Sequence, residues 1–567
     1  LTKQYFSVKS EIIKFATQIM IKTDTQMKIK IFFITLLISI LSISFAQTER
    51  PKLVVGIVVD QMRFTDLYRY YDLYSENGFK KLISEGSNFT YAHYNYELTS
   101  TGPGHASIYT GTTPYYHGII GNDWYDRRNK RMINCVQDDN ANGVGTTNNN
   151  GKKSPVNLLS STITDELKLF TNKKSKVISI SIKDRGAILP AGHMADAAYW
   201  YDSQSGKFVS SSYYMKTLPE WVNKFNDKKF PEMYLSNDWD LLLDESNYKI
   251  NFPDESPYEK DLFNEGKTSF PHSFKNLTNK EKYISFQFTP FANQAVLELA
   301  IEALKNEKLG SNEVTDFLTI SFSTPDLIGH GVGNYSFELM DIYLRIDRQI
   351  AELLNFLNKQ IGKENYLLFL TSDHAGIETP AYLKDNKMPV GGIGTDRVRD
   401  SLRAFAKRTF NSEDIIENFS NRQIFFNYDF IRKANLDLTQ VEKEFAQYLR
   451  ETFLEIQSVF TRDFLETQIA SRTFKNSVLN GWNSSRSGDI AFNLLPGYLN
   501  NFLEKGTTHG SAYSYDTHIP LIFFGWNIPA KTINKPVYIV DIAPTIANLL
   551  KINEPNACIG IPIIETE

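Results

Sequence analysis

The chain has 567 residues, 42% of them hydrophobic and 13% aromatic, and a formal net charge of -4. By length this allows roughly two to four domains, or one large α/β domain with insertions around an ample core. The near-neutral balance gives no reason to expect a nucleic-acid partner, so an anionic substrate must be held by a local site and not by the overall field.

Residues 27–46, MKIKIFFITLLISILSISFA, place Lys28 and Lys30 before an apolar run, with Ser44 and Ala46 at cleavage spacing before Gln47. This reads as a secretory signal peptide, which makes the periplasm the expected compartment and the extracellular space the other exported destination. The run is short for a membrane span and no Cys follows the cleavage position, so no stable membrane anchor is expected. Residues 1–26 read as an upstream extension, leaving 47–567 to fold. Cys135 and Cys558 are the only cysteines. One disulfide and two free thiols are equally good readings of them.

Short apolar runs recur along the remainder: Leu53 to Val59, Lys176 to Ile182, Phe317 to Phe322, Tyr366 to Leu370 and Ile519 to Phe524. Alternating with helical patterns, they predict an α/β fold with a mostly parallel central sheet flanked by helices. In such sheets the site lies outside the carboxyl ends of the strands. The residues there are Asp60 in VVDQM, Lys183 and Arg185 in SIKDRG, Asp326 and His330 in STPDLIGHG, and Asp373 and His374 in LTSDHAG. His509 stands shortly before the last run. Residues 186–285, rich in Tyr, Trp, Asn, Asp and Lys, read as a cap or set of loops, 380–505 as a small inserted α/β subdomain, and 138–153 as a surface loop.

Thr101 begins TGPGHASIY, a tight turn with Pro near the first position of a helix. Most Thr residues in such a place merely cap the helix. The N-terminus is also where unpaired N–H groups and the dipole favour an anion, and Thr101 would then face a phosphate or sulfate oxygen. A threonine hydroxyl is a poor nucleophile near neutral pH, and no Ser-His-Asp or Cys-His arrangement supplies a base; coordination to a metal would lower its pKa directly. Mixed carboxylate and imidazole donors suit zinc or another borderline divalent ion. Two metals about 4 Å apart need about six or seven ligands, and Asp60, Thr101, Asp326, His330, Asp373, His374 and His509 supply them.

In order, VVGIVVDQ, TSTGPGHASIYTGTTPYYHGIIGN, STPDLIGHG, TSDHAG, THGS and VDIAPTIANLL resemble the motifs of the alkaline phosphatase superfamily. The similarity is to its Thr-nucleophile branch, which holds nucleotide pyrophosphatases/phosphodiesterases and the PafA-type phosphate-irrepressible alkaline phosphatases. The resemblance implies that Asp326, His330 and His509 hold one zinc, and that Asp60, Asp373 and His374 hold a second, which Thr101 touches as the attacking alkoxide. It also implies a phosphothreonine hydrolysed by water, and it leaves His105, His117 and His518 structural.

A phosphate monoester presents more negative charge than a diester, so a monoesterase benefits from cations beyond the metals. Lys183 and Arg185 are expected to alternate along a strand end and point the same way, with Asp184 opposite, and Asn122 in GIIGNDWYD adds a hydrogen bond. The KDR triplet resembles that of the PafA-type monoesterases. The expectation is therefore an exported two-zinc phosphomonoesterase of broad specificity acting on small phosphate monoesters. A nucleotide pyrophosphatase/phosphodiesterase is the alternative, and a non-catalytic anion-binding protein the remaining one. Nothing in the sequence implies a protein partner.

Overall fold

The computed structural model describes residues 50–472 and 476–564, together with Glu11 and Lys14. The expected signal peptide at 27–46 lies outside the described residues, as does the stretch 1–26 apart from those two. No helix among the described residues is long and apolar enough to cross a membrane.

The organising element is an 11-stranded sheet. Its strands run in the order Lys531–Ile533, Ser87–His93, His518–Gly525, Tyr366–Thr371, Leu53–Val59, Asp316–Phe322, Val177–Ser181, Ala197–Asp202, Lys207–Ser211 and Gly143–Val144, with Val537–Tyr538 also paired to Ser87–His93. The five from Tyr366–Thr371 to Ala197–Asp202 are mutually parallel. On either side, His518–Gly525 and Lys207–Ser211 pair antiparallel.

Leu53–Val59, LVVGIVV, is buried at every residue, as a strand covered on both faces must be. Alternate side chains separate into two cores. Leu53, Val55, Ile57 and Val59 face the one that receives the helices Pro290–Asn306 and Phe337–Gln360. Val54 and Val58 face the other, with Tyr109, Phe369 and the helix Ile542–Leu550. Each such aliphatic side chain contributes about 1.5–3 kcal/mol on burial. Between them Gly56 leaves room for the neighbours: a Cβ there would stand 2.4 Å from the Tyr109 hydroxyl.

Two parts differ from the sequence expectation. Ala197–Asp202 and Lys207–Ser211, within the stretch read as cap or loops, are strands of the main sheet. Their aromatic and polar composition hides this, because Tyr199, Tyr201 and Trp200 are large enough to be core residues while reading as surface ones. The stretch 138–153, read as a surface loop, contributes the sheet strand Gly143–Val144 and is tied down: Thr146, Asn148 and Asn150 all donate to the Asp202 carboxylate at 2.7–2.9 Å.

Between Gly391 and Leu499 the chain builds a four-stranded antiparallel sheet in the order Ile416–Ser420, Gln423–Phe426, Ile490–Leu494, Ile456–Thr461. The helices Thr395–Phe410 and Leu438–Thr452 pack on it around a separate core that includes Leu402, Phe426, Phe445 and Phe492. Both cysteines are free. Cys135 lies beside Gly102 and Cys558 beside Gly111, at opposite ends of the helix Thr101–Thr110, which is about 15 Å long. Burial pushes both thiols up to about 12, so neither is reactive near neutral pH.

Candidate active site

The parallel register places strand ends side by side: Val58 pairs with Thr371, Val59 with Phe322 and Ser181 with Ser321. The residues that follow therefore reach one edge. Asp60, whose N–H bonds the Phe322 carbonyl at 3.0 Å, leaves the first strand. Asp326 and His330 occupy successive turns of the helix Thr324–Val332. Asp373 and His374 follow Thr371, and the antiparallel His518–Gly525 brings the His509 loop to the same edge.

Asp326 is the hub. Its Oδ1 lies 3.2 Å from His330 Nε2, 3.5 Å from His509 Nε2 and 4.0 Å from His374 Nε2. His374 Nε2 is 3.6 Å from Asp60 Oδ1 and 3.6 Å from Asp373 Oδ2. Those last three atoms are buried without a hydrogen-bond partner among the described residues. Burial, then the neighbouring Asp373, pushes the Asp60 carboxyl well above its usual range. Orphaned carboxylate oxygens and an orphaned imidazole nitrogen converging on one space cost free energy unless a cation satisfies them.

The outer nitrogens agree. His330 Nδ1 lies 2.9 Å from the Thr507 carbonyl, His374 Nδ1 3.0 Å from that of Ala375 and His509 Nδ1 2.7 Å from that of Thr99. A carbonyl only accepts, so each Nδ1 carries the proton and each Nε2 keeps its lone pair for the interior. Two overlapping groups can hold a divalent metal, Asp326 with His330 and His509, and Asp60 with Asp326 and His374. Asp373, expected in the second group, borders it through His374.

Thr101 opens the helix Thr101–Thr110, and the N-cap position belongs to Ser100. The Thr101 hydroxyl thus performs no capping; Lys183 Nζ donates to it at 3.2 Å. The expected cradle of free N–H groups is largely taken. Gly102 donates to Asn122 Oδ1 at 2.8 Å, Gly104 donates to the Ser100 carbonyl at 2.9 Å, and Pro103 has no N–H. Asn122 is thereby oriented, and its amino group has no hydrogen-bond partner among the described residues. Gly104 is required by a close approach: a Cβ there would stand 2.1 Å from the Asp373 carbonyl oxygen. Gly104→Ala should destabilise the fold by about 2–4 kcal/mol in urea unfolding, because nucleophile helix and Asp373 loop must separate.

Lys183 and Arg185 do not alternate on a strand. The strand ends at Ser181; Lys183 is the N-cap of the helix Asp184–Ala191 and Arg185 sits in its first turn. The chain turns helical at once, so the period of two does not apply. Lys183 Nζ still reaches the centre, 2.7 Å from Asp60 Oδ2 and 2.5 Å from Asp326 Oδ2. Burial opposes its charge, but Asp326 and Asp60 outweigh burial and raise its pKa. Arg185 lies 3.7 Å from Asp184, which in turn pairs with Lys153 at 2.9 Å.

Gln61 carries no recognisable sequence signal. Its backbone N–H donates to Asp373 Oδ1 at 3.1 Å and its side chain to Asp326 Oδ1 at 2.8 Å, which fixes two carboxylates at once. It does so at φ 62°, a strained conformation for a non-glycine residue. His105 joins Thr101, Ser321 and Asp373, with Nδ1 2.9 Å from the Thr101 carbonyl. His117 bonds Ser107 and Ile119, and His518 approaches the Thr90 carbonyl. The site opens at His330, whose side chain is 40% exposed. A cleft of about 210 Å³ adjoins His509, lined in part by Arg422, Asn500, Thr508 and Asp516.

The sheet and the paired donor groups at its carboxyl edge define a class. The chain belongs to the type I phosphodiesterase/nucleotide pyrophosphatase family, whose model matches residues 54–512. Among particular relatives, it is 41% identical over 517 residues to alkaline phosphatase PafA of Elizabethkingia meningoseptica, covering 91% of this chain and 94% of that one. It is 44% identical over 520 residues to alkaline phosphatase PhoV of Synechococcus elongatus, covering 91% and 93%. A crystal structure of wild-type alkaline phosphatase PafA superposes with a TM-score of 0.85 at 40% identity, covering 91% of this chain and 98% of that one.

Proposed function

We propose that this protein is an exported, zinc-dependent alkaline phosphatase that hydrolyses small phosphate monoesters through a phosphothreonine at Thr101. The observation that carries the reading is Lys183, whose ammonium stands 3.2 Å from Thr101 Oγ1 among the carboxylates. Similarity to enzymes named alkaline phosphatases supports it, and the 27–46 stretch supports export to the periplasm.

Asp326, His330 and His509 would hold one zinc and Asp60, Asp373 and His374 the other. Bound there, the two ions would supply Lewis acidity, which lowers the pKa of the Thr101 hydroxyl and offsets charge on the leaving oxygen. The chain's own residues do the rest. Thr101 Oγ forms its bond to phosphorus as the bond to the ester oxygen breaks, and water later cleaves the phosphothreonine to threonine and inorganic phosphate. Lys183, Arg185 and the free amino group of Asn122 hold the non-bridging oxygens, where a monoester carries its additional charge. The Nδ1–H bonds of the three histidines keep their rings in place throughout.

A phosphodiesterase would use the same nucleophile and donors, and the family match includes that branch by name. Steady-state hydrolysis of an aryl phosphate beside the matching methyl diester decides between them. The expected result is a preference for the monoester by several decades, lost on chelation and restored by zinc. A preference for the diester moves the protein to the phosphodiesterase branch, and no turnover of either ester leaves an anion-binding protein.

A further inference from the structure

The strands Ile416–Ser420 and Gln423–Phe426 of the smaller sheet are joined by two residues, Asn421 and Arg422, at φ 53° and 58°. Both are left-handed, the geometry of the tightest hairpin turn, so the two side chains project from a rigid tip. That tip reaches three segments of the main domain. Asn421 Nδ2 donates to the Asp123 carbonyl at 2.7 Å, one residue beyond Asn122. Arg422 Nη1 pairs with Glu97 Oε1 at 3.0 Å, four residues before Thr101. Arg422 Nη2 donates to the Gly510 carbonyl, one residue beyond His509.

The Arg422 side chain is 10% exposed and Glu97 7%, so the pair is shielded from solvent. Thr99, between Glu97 and Thr101, already accepts from His509 Nδ1 through its carbonyl and donates its hydroxyl to Ser511. Arg422 closes the same two strips of chain from the other side. Gly121 lets the tip approach: a Cβ there would be 3.2 Å from Asn421 Nδ2.

We propose that the Asn421–Arg422 turn is a positioning strut: Arg422 locks the His509 loop to the Thr101 segment, and Asn421 sets Asn122. The inference rests on the function proposed above for Asn122, Thr101 and His509. It makes the smaller sheet part of the site's scaffold, with both residues acting by positioning others.

Three variants test it. Arg422→Ala should lower kcat about 10- to 100-fold, the scale of a displacement near 1 Å, and should speed the release of zinc to a chelator. Millimolar guanidinium should recover part of the loss. Asn421→Gly keeps the left-handed turn but loses the amide; it should raise KM and weaken inorganic phosphate binding by calorimetry about fivefold, with kcat near wild type. Val459→Ala, in the edge strand Ile456–Thr461 of the same sheet, should lower Tm with unchanged kinetics. Wild-type kinetics, zinc release and phosphate binding in the first two variants would overturn the strut, as would the same kinetic losses in Val459→Ala. If Arg422→Ala does not fold, Asn421→Gly decides. A wild-type enzyme that prefers the diester overturns the proposed function alone, since the variants are then compared on that diester.

Discussion

Replacing Thr101 with alanine is expected to lower kcat/KM for an aryl phosphate roughly 10⁴- to 10⁶-fold, the range seen when a covalent nucleophile is deleted. Thr101 is 1% exposed and its hydroxyl accepts from Lys183, so it is a shielded side chain set among the charged groups of the site. Thr101→Ser keeps the hydroxyl and should stay within about tenfold of wild type, because only a methyl group is lost. Acid quenching during turnover of labelled substrate should leave phosphate on the wild-type peptide containing Thr101 and none on the alanine variant. Alanine activity within tenfold of wild type would mean that water attacks directly and that Thr101 only lines the site.

Removing both Lys183 and Arg185 should cost monoester turnover roughly 10³-fold while changing diester turnover by less than about tenfold. The difference follows from charge: only the monoester brings the additional negative oxygen for these cations to meet. Lys183 has a second task, since its ammonium bridges Asp60 and Asp326. The double variant should therefore be assayed after zinc content is measured, and Lys183→Gln, which retains a donor without the charge, separates neutralisation from hydrogen bonding. Equal losses on both esters would sink the monoesterase assignment.

The central sheet was legible because a strand covered on both faces reads as an uninterrupted apolar run, and Leu53–Val59 is buried at every position. Polar residues at the ends of such runs stand out for the same reason, which is how Asp60 and Asp373 could be named as candidates. Lys183 and Arg185 were candidates too, but with the wrong local geometry, because strand gives way to helix within three residues of Ser181. Gln61 was invisible. Its role depends on a left-handed backbone and on the closeness of Asp326 and Asp373, neither of which leaves a mark on local sequence. Arg422 was equally silent, since its partners Glu97 and Gly510 come from opposite ends of the chain.

The two thiols carry a practical consequence. Set at opposite ends of one helix, with burial raising both thiols, Cys135 and Cys558 form no disulfide with each other in this fold. Recombinant protein can be made in a reducing cytosol and assayed with thiol reductants present, and any sensitivity to reductant in such a preparation would report metal competition and not a broken disulfide.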